Sequence, residues 1–320
     1  MKEYDLVVVG GGISGMTSAL VALENNIDNI LIIEREVSLG GILNQCISNR
    51  YGKRILGENL TGPEYIFKVV EKIRKYKDDI KLKTEVLSVN DNKEITYVNT
   101  NEGVQTITAN SIIVATGCRD KLTGSITVPL NRYTGIYTIG TAQKVMVLEG
   151  YLPGKNPVVL ANCNWALSVA RRLIIEGANI DYIIIDSTHG FKINEYYSEI
   201  FKELNVNILE NSKIIDIFGD KRVEGVKIVT KNTNNILTID CDSLILSVGY
   251  WPEVAVIKNT SINFDEETSV PIVKNYETSI PGIFISGNLL YGVDALNQED
   301  TDGIDAGKAA VEYLIKSKNI

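Results

Sequence analysis

The chain predicts an α/β fold made of two doubly wound dinucleotide-binding units, the second inserted into the first. Three observations carry this. A strand, a glycine turn and a helix open the chain, the same plan recurs in the middle, and a final strand and helix return to the first copy.

Leu6 to Val9 is an apolar run, as in a parallel strand covered on both faces. Gly10, Gly12 and Gly15 then follow in the spacing Gly-x-Gly-x-x-Gly, and Ser14 to Glu24 reads as an Ala-, Leu- and Val-rich helix. Gly10 suits the tight turn out of the strand. Gly12 lets a pyrophosphate approach the backbone, and Gly15 lets the helix pack on the strand. The helix start offers N–H groups and the positive end of a dipole to phosphate. A strand from Asn29 to Ile33 ends in Glu34, 19 residues past Gly15, where an acid binds a ribose. A glycine-rich turn without a ligand is the alternative.

Leu39-Gly40-Gly41-Ile42-Leu43-Asn44-Gln45-Cys46 follows, with a glycine pair that lets the backbone pass close to a ligand. Glu64 to Tyr76 reads as an amphipathic helix. Lys81 to Val89, Glu94 to Asn99 and Gly103 to Thr108 read as a three-stranded meander, and Ser111 to Gly117 as a buried strand. The second copy then runs from a strand at Asn156 to Leu160, through a helix at Trp165 to Glu176, to a strand at Asn179 to Ile185 closed by Asp186. Asn205 to Phe218, Arg222 to Thr230 and Ile236 to Asp240 make its meander, and Ser243 to Gly249 echoes Ile112 to Gly117. A strand ending at Gly287-Asn288 and a helix from about Asp302 to Ile315 close the chain. The boundaries this implies are 1–117 with 250–320 for the first domain and 118–249 for the inserted one.

Apolar residues make up 44% and charged residues 22% of 320 positions, enough for a packed core. A net charge of −8 disfavours nucleic acid and anionic membrane as partners. No apolar run reaches the ~20 residues of a membrane span. Met1 to Asp5 leads straight into a strand, so no signal peptide is expected. Cys46, Cys118, Cys163 and Cys241 form neither Cys-x-x-Cys nor a metal spacing, so a reduced, cytoplasmic protein without a metal is expected. His189 is the one histidine, which excludes His-dyad chemistry; a solvated loop residue is its default reading.

Gly10 to Gly15 with Glu34, the Gly40-Gly41 pair, Ala115-Thr116-Gly117 and Gly287-Asn288 before the last helix stand together in one order. In this the chain resembles the two-dinucleotide-domain flavoproteins of the small thioredoxin-reductase-like branch. The resemblance implies two Rossmann-like, three-layer ββα domains, with FAD in the first. It places the pyrophosphate at Gly12, Ile13, Ser14 and Gly15, the adenosine ribose at Glu34, with Arg35 next to it among the cofactor-binding residues, and the adenine near Glu85-Val86. Gly41, Ile42, Asn44 and Gln45, with Ala115, Thr116 and Gly117, complete the shell. Gly287 and Asn288 meet the ribityl chain and the pyrophosphate, and Thr301, Asp302 and Gly303 face the ring. Asn288 stands where the family usually has Asp.

Two departures bear on function. The second fingerprint reads Ala161-Asn162-Cys163-Asn164-Trp165-Ala166. Ala161 is poor at a tight turn, and Cβ and sulfur of Cys163 are expected to fill the pyrophosphate space, so NAD(P)H use is expected to be lost. Trp165 either plugs the cleft or anchors the helix in the core. Gly135 to Gln143 also lacks the thioredoxin reductase Cys-x-x-Cys, so dithiol chemistry has no residues to run on. That stretch, with Gly40 to Cys46 and Ala115 to Arg119, is similar to small flavin subunits of glycerol-3-phosphate-, opine- and amine-type dehydrogenases. There a His often stands where this chain has Ser48.

The resemblance therefore implies an FAD oxidoreductase working with a redox protein, a second flavoprotein subunit or a small substrate, and admits a homodimer. An NAD(P)H-dependent flavin oxidase or reductase, and a non-catalytic flavin-fold module, are the alternatives. Cys46 is the one candidate catalytic residue, as a nucleophile or charge-transfer thiol, against a packed small hydrophobe. The lysines between 68 and 77 are either a solvated face or a docking patch for an acidic carrier.

Overall fold

The computed structural model describes residues 2–76, 79–122, 133–186, 190–230, 235–292 and 303–317. The chain begins β1 (Glu3–Val9), α1 (Ile13–Glu24), β2 (Ile30–Ile33), a 3-10 turn (Gly41–Gln45), α2 (Lys53–Leu56), α3 (Gly62–Arg74) and β3 (Asp79–Lys81). It continues through β4 (Glu85–Val89), β5 (Glu94–Asn99), β6 (Gly103–Val114) and β7 (Cys118–Asp120). Next come β8 (Ile136–Thr138), α4 (Ile139–Leu148), β9 (Pro157–Ala161), α5 (Asn164–Ile175), β10 (Tyr182–Ile185) and α6 (Glu195–Glu203). Then follow β11 (Asn207–Leu209), β12 (Ser212–Gly219), β13 (Val223–Thr230), β14 (Ile236–Asp240), β15 (Ser243–Leu246) and β16 (Tyr250–Pro252). β17 (Ile283–Ile285), α7 (Asn288–Tyr291) and α8 (Ile304–Ser317) close it. Two compact units result, Met1–Arg119 with Trp251–Ile320, and Asp120–Tyr250.

In the first unit β3, β2, β1, β6 and β17 form a parallel sheet, with Val7 opposite Leu31 and Ile112, and Phe284 opposite Ile113. Leu6 to Val9 and Ile30 to Ile33 are all buried, as strands covered on both faces must be. α1 packs between α3 and α8. On the opposite face Val7, Val9, Leu31, Ile33, Ile112 and Val114 share a core with Val86, Ile95, Tyr97 and Ile107 of the meander. The layers are helices, parallel sheet and antiparallel strands.

β6 differs from the sequence expectation. Gly103–Thr108 and Ser111–Val114 are one strand of 12 residues, antiparallel to β5 along its first half and parallel to β1 along its second. Asn110 and Ser111 look like a break in the pattern. Their side chains are instead satisfied, Asn110 Nδ2 donating to Asp5 at 3.2 Å and Ser111 Oγ to Gly282 O at 3.0 Å.

The second unit repeats the plan. β11, β10, β9, β15 and β8 form a parallel sheet, and β12, β13 and β14 an antiparallel one. Val158, Leu160, Leu244 and Leu246 face Ile217, Val226, Ile228 and Ile239 across the core. The strand expected over Asn205 to Phe218 is two. Asn207–Leu209 extends the parallel sheet beside β10, Asn211 turns the chain at φ +52°, and Ser212–Gly219 enters the antiparallel sheet. An apolar pattern cannot register such a turn, which asparagine supplies cheaply.

Candidate functional site

The first unit gathers its sequence-selected residues at the C-terminal ends of its parallel strands, where open α/β sheets take their ligands. Gly10 leaves β1 at φ +108°, its N–H donating to Ile33 O at 2.9 Å. A Cβ there would stand 2.4 Å from Ala115 O, so the turn lies against the end of β6. A Cβ on Gly15 would fall 2.0 Å from Gly10 O, which sets α1 directly on the turn. Gly12 is the N-cap of α1 and supplies no side-chain cap, so the first N–H groups of the helix keep their outward aim. A Cβ on Gly12 would meet nothing within 4 Å. Its outer face is open space, the shape a pyrophosphate needs.

Two further segments close on this turn. Gly40 N donates to Gly11 O at 2.8 Å, and a Cβ on Gly41 would lie 3.2 Å from Gly12 Cα. Gly287, at φ +73°, has Ser14 Oγ 2.2 Å from where its Cβ would stand, and Gly303 has Ser14 O at 1.9 Å. Ile13 and Ser14, at the head of α1, thus lie among Gly12, Gly287 and Gly303. Thr301 and Asp302 lie outside the described residues, as does His189.

Glu34 is buried at 7% exposure. Its Oε2 accepts from Gly11 N at 2.7 Å and its Oε1 from Glu36 N at 2.8 Å. The carboxylate is locked beside the glycine turn, and each oxygen retains a lone pair for a hydroxyl. Arg35 next to it is exposed. Asn44 Nδ2 donates to Leu39 O at 2.9 Å, holding the 3-10 turn that carries Ile42 and Gln45.

Three selected side chains are committed elsewhere. Val86 is buried in the core with Ile95 and Tyr97, which leaves only its main chain for a ligand. Thr116 Oγ1 donates to Glu253 O at 2.7 Å, and Gly117 O accepts from Glu253 N at 2.9 Å. The strap of Ala115, Thr116 and Gly117 is thereby tied to Glu253, which also pairs with Arg119. Cys46 is 4% exposed, and its Sγ donates to Ile42 O at 3.3 Å. A thiol spending its proton on a carbonyl inside the protein is a packed group rather than an exposed nucleophile.

Sequence reading missed Tyr51. Its phenol is hydrogen-bonded to Cys46 and Ser48, and burial, with Cys46 beside it, raises its pKa above the usual tyrosine range. Tyr51 N donates to Leu60 O at 3.0 Å and Leu60 N to Tyr51 O at 2.8 Å, so both sides of the loop hold it. No local motif announces such a pairing.

The second unit's turn is built differently. Ala161 is buried, and Asp186 N donates to its carbonyl at 2.8 Å. Cys163 caps α5 in extended conformation, φ −158° and ψ 162°. It is buried, with Sγ 3.5 Å from Ser247 Oγ. The sulfur is packed against Ser247, and Asn162 bonds across the same turn. Its amide lies 2.7 Å from Ser247 Oγ and, with Nδ2 turned toward that serine, reaches Ser247 O at 3.0 Å and accepts from Gly249 N at 3.0 Å. Trp165 is buried within the unit.

Gly135 to Gln143 becomes β8 and the first half of α4. Gly140 N donates to Asp120 Oδ2 at 2.8 Å, so the helix start holds a carboxylate of the chain itself. Burial raises the Asp120 pKa, against the lowering effect of Thr138 and the Gly140 N–H. None of the four cysteines is in a disulfide.

The chain matches the pyridine nucleotide-disulphide oxidoreductase family over residues 4–311. It belongs to that family. As a member it is a thioredoxin-reductase-like, FAD-dependent oxidoreductase. Among its relatives is the "34.2 kDa protein in rubredoxin operon" of Clostridium pasteurianum, 25% identical over 98% of both chains. Another is the thioredoxin reductase of Listeria monocytogenes, 25% identical over 99% of this chain and 96% of that one. The fold is also that of Lactococcus lactis thioredoxin reductase in its FR conformation, with a TM-score of 0.79 at 21% identity over 98% of this chain and 99% of that one. No helix among the described residues is long and apolar enough to cross a membrane.

Proposed function

We propose that the FAD of this oxidoreductase lies at the C-terminal ends of β1, β2, β6 and β17. Its electrons are exchanged with a redox protein, a second flavoprotein subunit or a small substrate, and not with NAD(P)H. The observation that carries the reading is the contrast between the two glycine-type turns. Position 12 faces open space, whereas Cys163 is buried and Asn162 bonds across the second turn to Ser247 and Gly249.

In this reading the N–H groups at Ile13, Ser14 and Gly15 hold the pyrophosphate, and Glu34 holds the ribose. Gly287, Asn288 and Gly303 approach the remainder, with Asn288 giving hydrogen bonds but no charge. When bound, FAD supplies hydride and one-electron chemistry. The protein positions it, excludes water behind the Gly40-Gly41 crossing, and presents Asn44 and Gln45 beside it. With no Cys-x-x-Cys in the sequence, thiol–disulfide exchange within one chain is not the route.

Anaerobic titration of the FAD-loaded protein with NADH and with NADPH is the test. The flavin absorbance is expected to persist at stoichiometric addition. Rapid bleaching by micromolar nucleotide would favour the second reading, an NAD(P)H-dependent flavin oxidase or reductase. Membership in a family named for pyridine nucleotides supports that second reading.

A further inference from the structure

We infer, on the flavin placement proposed above, that Tyr51 is a positioning residue for the cofactor. Its phenol fixes the 3-10 turn Gly41–Gln45, whose open face borders the flavin's site.

The turn has two faces. Leu43 and Cys46 are buried, whereas Gly41 is exposed and Ile42, Asn44 and Gln45 are half-buried. The open face begins beside the glycine turn, since a Cβ on Gly41 would lie 3.2 Å from Gly12 Cα. The buried face meets the start of α3. Gly62 N donates to Cys46 O at 2.7 Å, and a Cβ on Gly62 would fall 2.1 Å from Leu43 O. A 3-10 turn has poorer hydrogen-bond geometry than an α-helix, and runs beyond about four residues are uncommon. This one has five residues, and Leu43 N reaches Gly40 O only at 3.3 Å. Its shape therefore draws on contacts at the buried face.

Tyr51 supplies them through a row of hydrogen bonds. Its phenol is bonded to Cys46 and to Ser48. Cys46 Sγ donates its one proton to Ile42 O at 3.3 Å, so the phenol is the donor to the sulfur. The phenol's one proton is then spent, and Ser48 is the donor to the phenol oxygen. The row runs from Ser48 through Tyr51 and Cys46 to Ile42 O, with each proton used once and every bond directed at the turn. Hydrogen bonds in such a row polarise one another. Burial, with Cys46 beside it, raises the phenol's pKa above the usual tyrosine range, so the donor is kept across the working pH range.

Tyr51 is itself anchored. Its N–H donates to Leu60 O at 3.0 Å, and Leu60 N donates to its carbonyl at 2.8 Å. Leu60 precedes Thr61, the N-cap of the 13-residue α3, whose side chain accepts from Glu64 N. The phenol thus ties a marginal turn to a well-capped helix. Asn44 and Gln45 lie between Ile42 and Cys46, so holding those two residues orients the two amides presented to the cofactor.

The test titrates the full-length chain with FAD, followed by quenching of flavin fluorescence, and records the visible circular dichroism of the bound flavin. Tyr51→Phe keeps the ring and removes the middle member of the row. It is expected to weaken FAD binding at least about fivefold and to change the dichroism at saturating FAD. Cys46→Ala is expected to cost the same, and the double variant no more than either alone, because each breaks one shared row. Cys46→Ser, able to accept from the phenol and donate to Ile42 O, is expected to recover most of what Cys46→Ala loses. Tyr4→Phe, which removes a phenol bonded to Asp79 at the opposite end of β1, is the control and is expected to leave FAD affinity within about twofold. Unchanged affinity or unchanged dichroism in Tyr51→Phe, losses that multiply in the double variant, or an equal loss in Tyr4→Phe would overturn the inference. Gly12→Ala, measured alongside, reports on the flavin placement. An affinity indifferent to Gly12→Ala sinks that placement and the inference with it, whereas a loss in Gly12→Ala with none in Tyr51→Phe sinks the role of Tyr51 alone.

Discussion

Thr17 Oγ1 accepts a hydrogen bond from Gly303 N at 2.7 Å, joining the first helix of the chain to the start of its last. Ser18 Oγ returns the contact by donating to Gly303 O at 2.8 Å. The N-terminal glycine turn is thus completed by a residue 286 positions away, and a Cβ on Gly303 would stand 1.9 Å from Ser14 O. Gly303→Ala is expected to force the helices apart, at about 1–3 kcal/mol, and to release FAD. Denaturant melts and visible flavin absorbance check both effects.

Gly12 and Gly15 separate folding from cofactor binding. A Cβ on Gly12 meets only open space and its φ of −69° suits any residue. Gly12→Ala is therefore expected to leave stability within about 0.5 kcal/mol of the parent while lowering FAD affinity. Gly15→Ala, 2.0 Å from Gly10 O, is expected to lose stability by about 1–3 kcal/mol as well as FAD. A melting loss in Gly12→Ala equal to that in Gly15→Ala would refute the assignment.

Asp120 sets a pH dependence. Burial raises its folded pKa above 3.8, so the folded state holds its proton more tightly than the unfolded state. That contribution is present in full below the unfolded pKa and is lost as pH rises through the folded one. Asp120→Asn keeps an acceptor for Gly140 N and removes the titration. Its advantage in melting temperature over the parent is expected to be larger at pH 7 than at pH 4. An advantage that shrinks with pH contradicts the sign.

Thiol accessibility distinguishes the cysteines. Cys46, Cys163 and Cys241 are buried and Cys118 is partly exposed. Burial, with Asp242 and Asp240 nearby, pushes the Cys241 thiol up to about 12. Titration with an aromatic disulfide reagent at pH 8 is expected to show one fast thiol in the native protein, lost in Cys118→Ser, and the rest only after unfolding. A second fast thiol lost in Cys46→Ser would restore Cys46 as a reactive group.

The second turn yields a fifth expectation. Asn162→Gly removes the amide that spans Ser247 and Gly249, leaving those groups to water. Stability is expected to fall by about 1–3 kcal/mol, with FAD content unchanged because the first unit is untouched. Tighter NADH binding in this variant than in the parent, read by calorimetry, is the outcome that marks the amide as the closing group.

Much of the fold was legible because the strand–turn–helix plan is local. The run from Leu6 to Val9, the glycines at 10, 12 and 15, and Glu34 sit within one stretch, and each has a steric reason to be where it is. What escaped was decided at long range. The continuity of β6 depends on Asp5 and Gly282 satisfying Asn110 and Ser111. The inward turn of Cys163 depends on Ser247, and the burial of Cys46 on the Tyr51 loop. No periodicity within a short window encodes these partners.

β6 pairs with β1 on one side and with β17 on the other. On the ribosome, the β17 edge of β6 waits unpaired until the whole of Asp120–Tyr250 has been made. The partner of Thr17 emerges later still. The first cradle to be translated is thus the last to be finished, so cofactor loading falls at the end of synthesis, and a chain cut short before Gly303 carries an intact glycine signature without the partner of Thr17 and Ser18.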